Sequence, residues 1–306
     1  MTAKFTGRRL AALLVAQALW LAASHAEESA PKKFGDEVEK QESIYQSAGE
    51  NVPSGYTIGR SLAEYAGALP ADFDRELAKL GPDQRWLDIG AGMGQAIIDY
   101  YTPEYDKAHP EGADQRGKKA RTVAISIEDR RTSAWRQKAD SVGRDRMQYL
   151  PNKRLREYSD ADLGRFDVIT DVIGGFSYTT DLTLFMEKVL GFLKVNGSFY
   201  TVLQDVHSEE GSNPPYYKGS PYLTEIVGAD GGEIKVCSWL KRISCVQVSC
   251  ELRTGWTPPI EVFQVRKVCH DTSVPPLTAV HYAAGTPPER RFKAQALSAT
   301  NISPSR

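Results

Sequence analysis

Between Ser61 and Leu80 apolar residues recur every three or four positions: Leu62, Tyr65, Ala66 and Leu69, then Phe73, Leu77 and Leu80. That spacing predicts two short helices broken near Pro70, with Pro82 closing the second. From Arg85 the period changes. "RWLDI" reads as a short buried strand, "GQAIIDYY" as a helix ending near Pro103, and "HPEGADQRGKKAR" as a polar loop. "TVAISIE", rich in β-branched residues, predicts a second strand and "RTSAWRQKADSV" a helix. "KRLREYS" reads as a weaker third strand and "FDVITDVI" as a strong fourth. "TDLTLFMEKVLGFL" is an amphipathic helix, and "NGSFYTVLQ" a turn into a fifth apolar strand. Strands alternating with helices in this order predict an α/β fold, a doubly wound, mostly parallel sheet covered on both faces.

Beyond Gln204 the pattern shifts. "EEGSNPPYYKGSP" is a Pro/Gly-rich loop and "YLTEIV" a short helix. "IKVCSWLKRISCVQVSCEL" and "PIEVFQVRKVCH" then alternate with a period of two, which predicts antiparallel strands or hairpins. The organisation expected is a domain over residues 44–284, with an N-terminal helical cap at 44–82 and an antiparallel C-terminal part at 206–284. Residues 27–43, polar and charged, read as a flexible lead-in, and residues 285–306, rich in Pro, Ala, Ser and Arg, as a mobile tail.

The first residues differ from everything after them. Lys4, Arg8 and Arg9 precede an apolar stretch from Leu10 to Ala23 interrupted only by Gln17, and Ser24-His25-Ala26 comes next. This is the layout of an export signal cleaved after Ala26, so residues 1–26 are expected to be removed and the protein to be periplasmic or secreted, with no membrane span left. Without a functional leader it would be cytoplasmic. Arg8-Arg9 hints at twin-arginine export, but Leu10-Ala11-Ala12 fits that pattern poorly.

The chain of 306 residues is 41% hydrophobic and 25% charged, with a net charge of -1. Loss of the leader removes Lys4, Arg8 and Arg9 and no acid, leaving 35 Lys and Arg against 39 Asp and Glu, a balance of -4. That excludes the basic footprint of a nucleic-acid binder. The four cysteines, Cys237, Cys245, Cys250 and Cys269, lie in the last quarter of the chain, and an even number in an exported protein points to disulfides. A hairpin turn at Lys241-Arg242 would bring Cys237 to Cys245 and leave Cys250 for Cys269. The spacing has no Cys-x-x-Cys pair, which argues against zinc.

Candidate chemistry centres on "LDIGAGMGQ", which stands between a strand and a helix, where backbone N–H groups can face a ligand. A phosphate-binding Walker loop would need a Lys that is missing. A dinucleotide fingerprint would need its third glycine where Gln95 stands. An acid followed by Gly-x-Gly-x-Gly suits instead a cationic, phosphate-free ligand with an amino-acid end. Glycine at Gly90, Gly92 and Gly94 lets the backbone come close to it.

The stretch resembles the first motif of class I S-adenosylmethionine-dependent methyltransferases, and the order of elements from Arg85 to about Asp205 is similar to that family. The resemblance implies a Rossmann-like sheet ending in a sixth parallel and a seventh antiparallel strand, with S-adenosyl-L-methionine as cofactor. It assigns Asp88, Gly90, Ala91, Gly92 and Gly94 to the methionine end and Glu128 to the ribose hydroxyls, with Asp129 a rival. Asp160 and the Ala161 N–H, in "YSDADL", would meet the adenine, and Asp171 would border the site. Methyl transfer is an in-line displacement that needs a protein base only if the acceptor must lose a proton, so the resemblance names no catalytic residue. Candidates lie after the fourth and fifth strands: Asp171, Tyr178 and Thr179, then Asp205 and His207, with Tyr216 and Tyr217 beyond. The expected partner is a small-molecule or peptide methyl acceptor. A non-catalytic descendant binding a nucleoside or a protein surface is the alternative, favoured by export away from the compartment where the cofactor is made.

Overall fold

The computed structural model describes residues 29–47, 57–109, 119–204, 223–256, 259–285 and 287–295. Five parallel strands succeed one another as the alternating pattern requires: β1 (Arg85–Ile89), β2 (Arg121–Ile125), β3 (Met147–Leu150), β4 (Phe166–Val172) and β5 (Leu193–Gln204). Four further strands are β6 (Thr224–Val227), β7 (Glu233–Ile234), β8 (Val246–Arg253) and β9 (Ile260–Lys267). The last two are β10 (Leu277–Ala283) and β11 (Glu289–Ala294).

The main sheet has the order β3-β2-β1-β4-β5-β9-β8. β9 runs antiparallel to β5, and β8 antiparallel to β9, so β8 points the same way as the first five. This is the doubly wound, Rossmann-like sheet expected, with its sixth parallel and seventh antiparallel strands in β8 and β9. Alternation along β1 and β4 sends Trp86 and Val168 to one face and Leu87 and Ile169 to the other, and each face carries its own core. One is covered by the helices Leu62–Ala68, Ala71–Ala78, Gln95–Tyr100 and Ser133–Val142. The other is covered by the helix Leu182–Phe192 and by a second sheet of order β10-β11-β6-β7. The break at Pro70 falls where expected, Pro70 preceding the first residue of the second helix.

Several expectations change. The segment 27–43 is not a loose lead-in: Ser29–Ser47 is a helix lying along β10. Phe34 meets Tyr282 edge-on at 6.0 Å, and Glu37 and Gln41 accept from the N–H groups of Ala284 and Gly285 at 3.0 and 2.9 Å. The third strand is Met147–Leu150, not "KRLREYS", where Leu155 and Tyr158 are buried at a spacing of three about a 3-10 turn. "YLTEIV" contributes a strand, β6, rather than a helix.

The expected mobile tail, 285–306, contains β11, in which Arg290 and Phe292 point inward while Arg291 and Lys293 face solvent. β11 pairs in parallel with β6, so the C-terminal part is not wholly antiparallel. No hairpin turns at Lys241-Arg242, because the helix Val236–Leu240, with Val236, Trp239 and Leu240 buried, ends there. The disulfides are Cys237–Cys250 and Cys245–Cys269, with Cα atoms 6.1 and 5.1 Å apart. All four cysteines are thus paired, though in a different combination from the one the hairpin implied. Among the described residues no helix is long and apolar enough to cross a membrane, and residues 1–26 lie outside them.

Candidate functional site

The carboxyl ends of β1 to β5 share one edge of the sheet. Between β1 and β4 the chain order reverses, with β2 and β3 on one side and β5 on the other. This switch point is where open α/β sheets leave a crevice for ligands. The turn Gly90–Gly94 sits there. Gly90 and Ala91 donate their N–H groups to the Ile125 carbonyl at 3.0 and 3.2 Å, which fastens the turn to the end of β2. Gly94 N–H closes on Ala91 O at 2.8 Å, and the Tyr149 hydroxyl donates to Gly92 O at 2.6 Å.

Two of the glycines answer to the chain itself. Gly92 has φ +54°, and a Cβ there would overlap the carbonyl of Ile58. Ile58 O also accepts from Met93 N–H at 2.6 Å, so the segment 57–60 lies directly on the turn. At Gly94, φ +76°, a Cβ would run into the Trp135 ring. The close approach that the sequence suggested is therefore met first by protein backbone and an indole, not by open ligand space.

Asp88, at the end of β1, is wholly buried. It accepts from Thr170 Oγ1 at 2.7 Å and from the Tyr65 hydroxyl at 3.2 Å, while Trp86 Nε1 donates to Thr170 Oγ1 at 2.8 Å. Burial pushes its carboxyl up to about 7, against the opposing pull of the two hydroxyl donors. Asp88 thus lies behind the turn and ties β1, β4 and the helix Leu62–Ala68 together.

Asp171 points to the opposite face of the sheet and is equally buried. The N–H groups of Gly174 and Phe176 donate to it at 2.9 and 3.1 Å, and burial pushes it too up to about 7. It organises the loop after β4, which carries Tyr178, half-buried at the end of the helix Gly175–Tyr178.

The same loop is held from the other side by Arg290, which sequence reasoning missed. Its Nη1 donates to the carbonyls of Phe176 and Thr179 at 3.0 and 2.8 Å, and its Nη2 to Thr224 Oγ1 at 2.8 Å. Burial draws this guanidinium down to about 10. The signal was the alternation in "ERRFKA", masked by its charge.

After β2 the chain runs Ser126, Ile127, Glu128, Asp129. Ser126 is buried. Glu128 pairs with Arg130 at 2.7 Å, and Asp129 with Arg131 at 2.5 Å. The Arg131 hydrogen bonds hold Asp129 down at about 2. Both ribose candidates therefore stand on the correct edge, each already engaged by an arginine two residues on.

Asp160 and Ala161 do not join them. They are exposed residues of the helix Asp160–Leu163, with Asp160 paired to Arg165 at 2.7 Å. Leu163 O accepts from Arg85 Nη1 at 2.6 Å, and Arg85 is the first residue of β1. The pair is thus at the amino edge of the sheet, because the true third strand ends ten residues earlier. At the carboxyl edge β3 leads instead into Pro151-Asn152-Lys153, with Asn152 at φ +67°. Asp205, His207, Tyr216 and Tyr217 lie outside the described residues. Among the described residues no group of three or more His, Cys, Asp or Glu could hold a metal ion.

No protein-family model and no curated protein matches the chain. Solved structures do. A geranyl diphosphate methyltransferase, solved with geranyl diphosphate and sinefungin, is 15% identical, with a TM-score of 0.32 over 43% of this chain and 43% of that one. An O-methyltransferase family protein from Burkholderia thailandensis is 12% identical, with a TM-score of 0.37 over 65% of this chain and 56% of that one. An rRNA methylase from Streptococcus thermophilus is 13% identical, with a TM-score of 0.37 over 70% of this chain and 100% of that one. The chain thus spans about half the length of the first two. At these scores the assignment of the fold rests on the strand order of the sheet.

Proposed function

We propose that the chain binds S-adenosyl-L-methionine along the carboxyl edge between β1 and β4 and directs methyl transfer to a small-molecule or peptide acceptor. The observation that carries this reading is the turn Gly90–Gly94 at the switch point, backed by a buried Asp88, in a sheet that ends with parallel β8 and antiparallel β9. The donor set fits a cationic, phosphate-free ligand: the turn has no lysine, and two buried carboxylates stand at the ends of β1 and β4.

When bound, the cofactor supplies a methyl group on a sulfonium, already activated, so the chain's work is alignment and exclusion of water. The part of the Gly90–Met93 backbone not already bonded to Ile125, Ile58, Gly94 and Tyr149 would hold the methionine end, with Asp88 acting from behind the turn rather than by direct contact. Glu128 or Asp129 would hold the ribose by turning from its arginine, and Pro151–Lys153 would border the base in place of Asp160 and Ala161. Asp171 and Arg290 position the loop after β4, and with it Tyr178, on the acceptor side. Neither carboxylate is free to take a proton from an acceptor, since each is closed off by its own donors. The leader at residues 1–26 and the two disulfides support an exported, oxidised protein.

The test is calorimetry of the mature protein with S-adenosylhomocysteine, NAD and ATP in parallel. Binding of S-adenosylhomocysteine alone supports the reading. Preference for NAD or ATP would turn it to a phosphate-bearing ligand. Binding of none would favour the non-catalytic alternative, for which the arginine-paired Glu128 and the covered turn are the structural argument.

A further inference from the structure

Arg60 lies in the segment that covers the glycine turn, two residues after the Ile58 carbonyl that accepts from Met93. Its Nη1 donates to Val172 O at 3.1 Å and Thr57 O at 3.3 Å. Val172 is the last residue of β4. The guanidinium is therefore fixed at the carboxyl end of β4, beside the switch point. Its charge reaches the buried Asp88 and Tyr65.

Neither buried acid serves as its partner, and among the described residues Arg60 forms no ion pair. Two carbonyls occupy Nη1 and neutralise nothing, and among the described residues Nε and Nη2 have no hydrogen-bond partner. A half-buried guanidinium anchored to backbone through Nη1 can offer Nε and Nη2 for two parallel hydrogen bonds to a carboxylate.

Resting on the cofactor reading above, we infer that Arg60 is the receptor for the carboxylate of the ligand's amino-acid end. The glycine turn stands on the same edge, with Asp88 buried behind it. Arg60 would then decide between ligands that carry an amino-acid end and otherwise identical ones that do not.

The experiment compares S-adenosylmethionine with its decarboxylated form, and 5′-methylthioadenosine as a third probe, by calorimetry on the mature protein. Wild type should prefer S-adenosylmethionine over the decarboxylated form by about 10- to 100-fold, the usual worth of a charge-assisted pair. Arg60→Ala should lose that factor for S-adenosylmethionine and bind the other two as wild type does, and Arg60→Lys should regain part of it. A uniform loss for all three in Arg60→Ala would mean that Arg60 only anchors Val172 and Thr57, and would overturn the inference. So would a wild type that binds without discriminating. A wild type that binds none of the three would overturn the cofactor reading itself, and this inference with it.

Discussion

Burial of two carboxylates should leave a mark on stability that one substitution can isolate. Asp88 is raised from 3.8 to about 7 in the folded chain. In the unfolded chain it ionises near 3.8, so between about pH 4 and pH 7 folding takes up a proton. A raised acid of this kind contributes least to stability at high pH: stability falls as pH rises through the window, by about 1.4 kcal/mol per unit for one group. Over the full shift that is roughly 4 kcal/mol, most of it lost between about pH 5 and pH 7.

Asp88→Asn keeps an oxygen to accept from Thr170 and Tyr65 and removes the titration. Urea unfolding of wild type and variant at half-unit steps from pH 5 to pH 8 measures the difference. The variant should gain on wild type steadily up to about pH 7 and then level off. Asp171→Asn, on the other face, should behave alike. Parallel curves for Asp88→Asn and wild type across the window would refute the reasoning, since they would mean that Asp88 is ionised in the folded chain throughout.

Gly92→Ala should destabilise the fold by at least about 1–2 kcal/mol from its left-handed backbone alone, with displacement of Ile58 adding to that; an unchanged urea midpoint together with lost ligand binding would give Gly92 back to the ligand. Arg290→Ala leaves the Phe176 and Thr179 carbonyls and the Thr224 hydroxyl without their donor and should cost about 3 kcal/mol. Hydrogen exchange should then speed up at residues 174–179, and unaltered exchange there would remove Arg290 from that loop. Peptide mapping of unreduced protein should find Cys237 joined to Cys250 and Cys245 to Cys269, and the Cys237→Ser, Cys250→Ser pair should lose about 3 kcal/mol for a loop of this length. Recovery of a Cys237–Cys245 peptide would contradict the helix at Val236–Leu240.

Much of this was legible in the sequence where local pattern and tertiary role agree. "RWLDI" matches β1 residue for residue, because all but its first position are buried and period and burial coincide. "PIEVFQVRKVCH" gave β9 through its alternation, with Ile260, Val262 and Val265 buried and Glu261, Gln264 and Arg266 more exposed. Met147–Leu150 was passed over because four residues after "GRDR" are too few to show a period, while the longer "KRLREYS" imitates one. That slip carried Asp160 and Ala161 with it to the wrong edge.

The helix Ser29–Ser47 and β11 were hidden by charge. Phe34 and Gln41, Arg290 and Phe292 are spaced for a helix and a strand, but polar neighbours outnumber them, and the partners that bury them are distant in sequence. The disulfide pairing needed the helix between Cys237 and Cys245. The occlusion of Gly92 by Ile58 has no local signature at all.

The most direct test of the central claim is hydrogen exchange of the protein with and without saturating S-adenosylhomocysteine. Protection should appear at residues 57–60 and 90–95, after β2 at 126–131 and after β3 at 151–153, with none on the helix Asp160–Leu163. Protection confined to 160–163, or no change at the glycine turn despite demonstrated binding, would contradict a cofactor site at the carboxyl edge between β1 and β4.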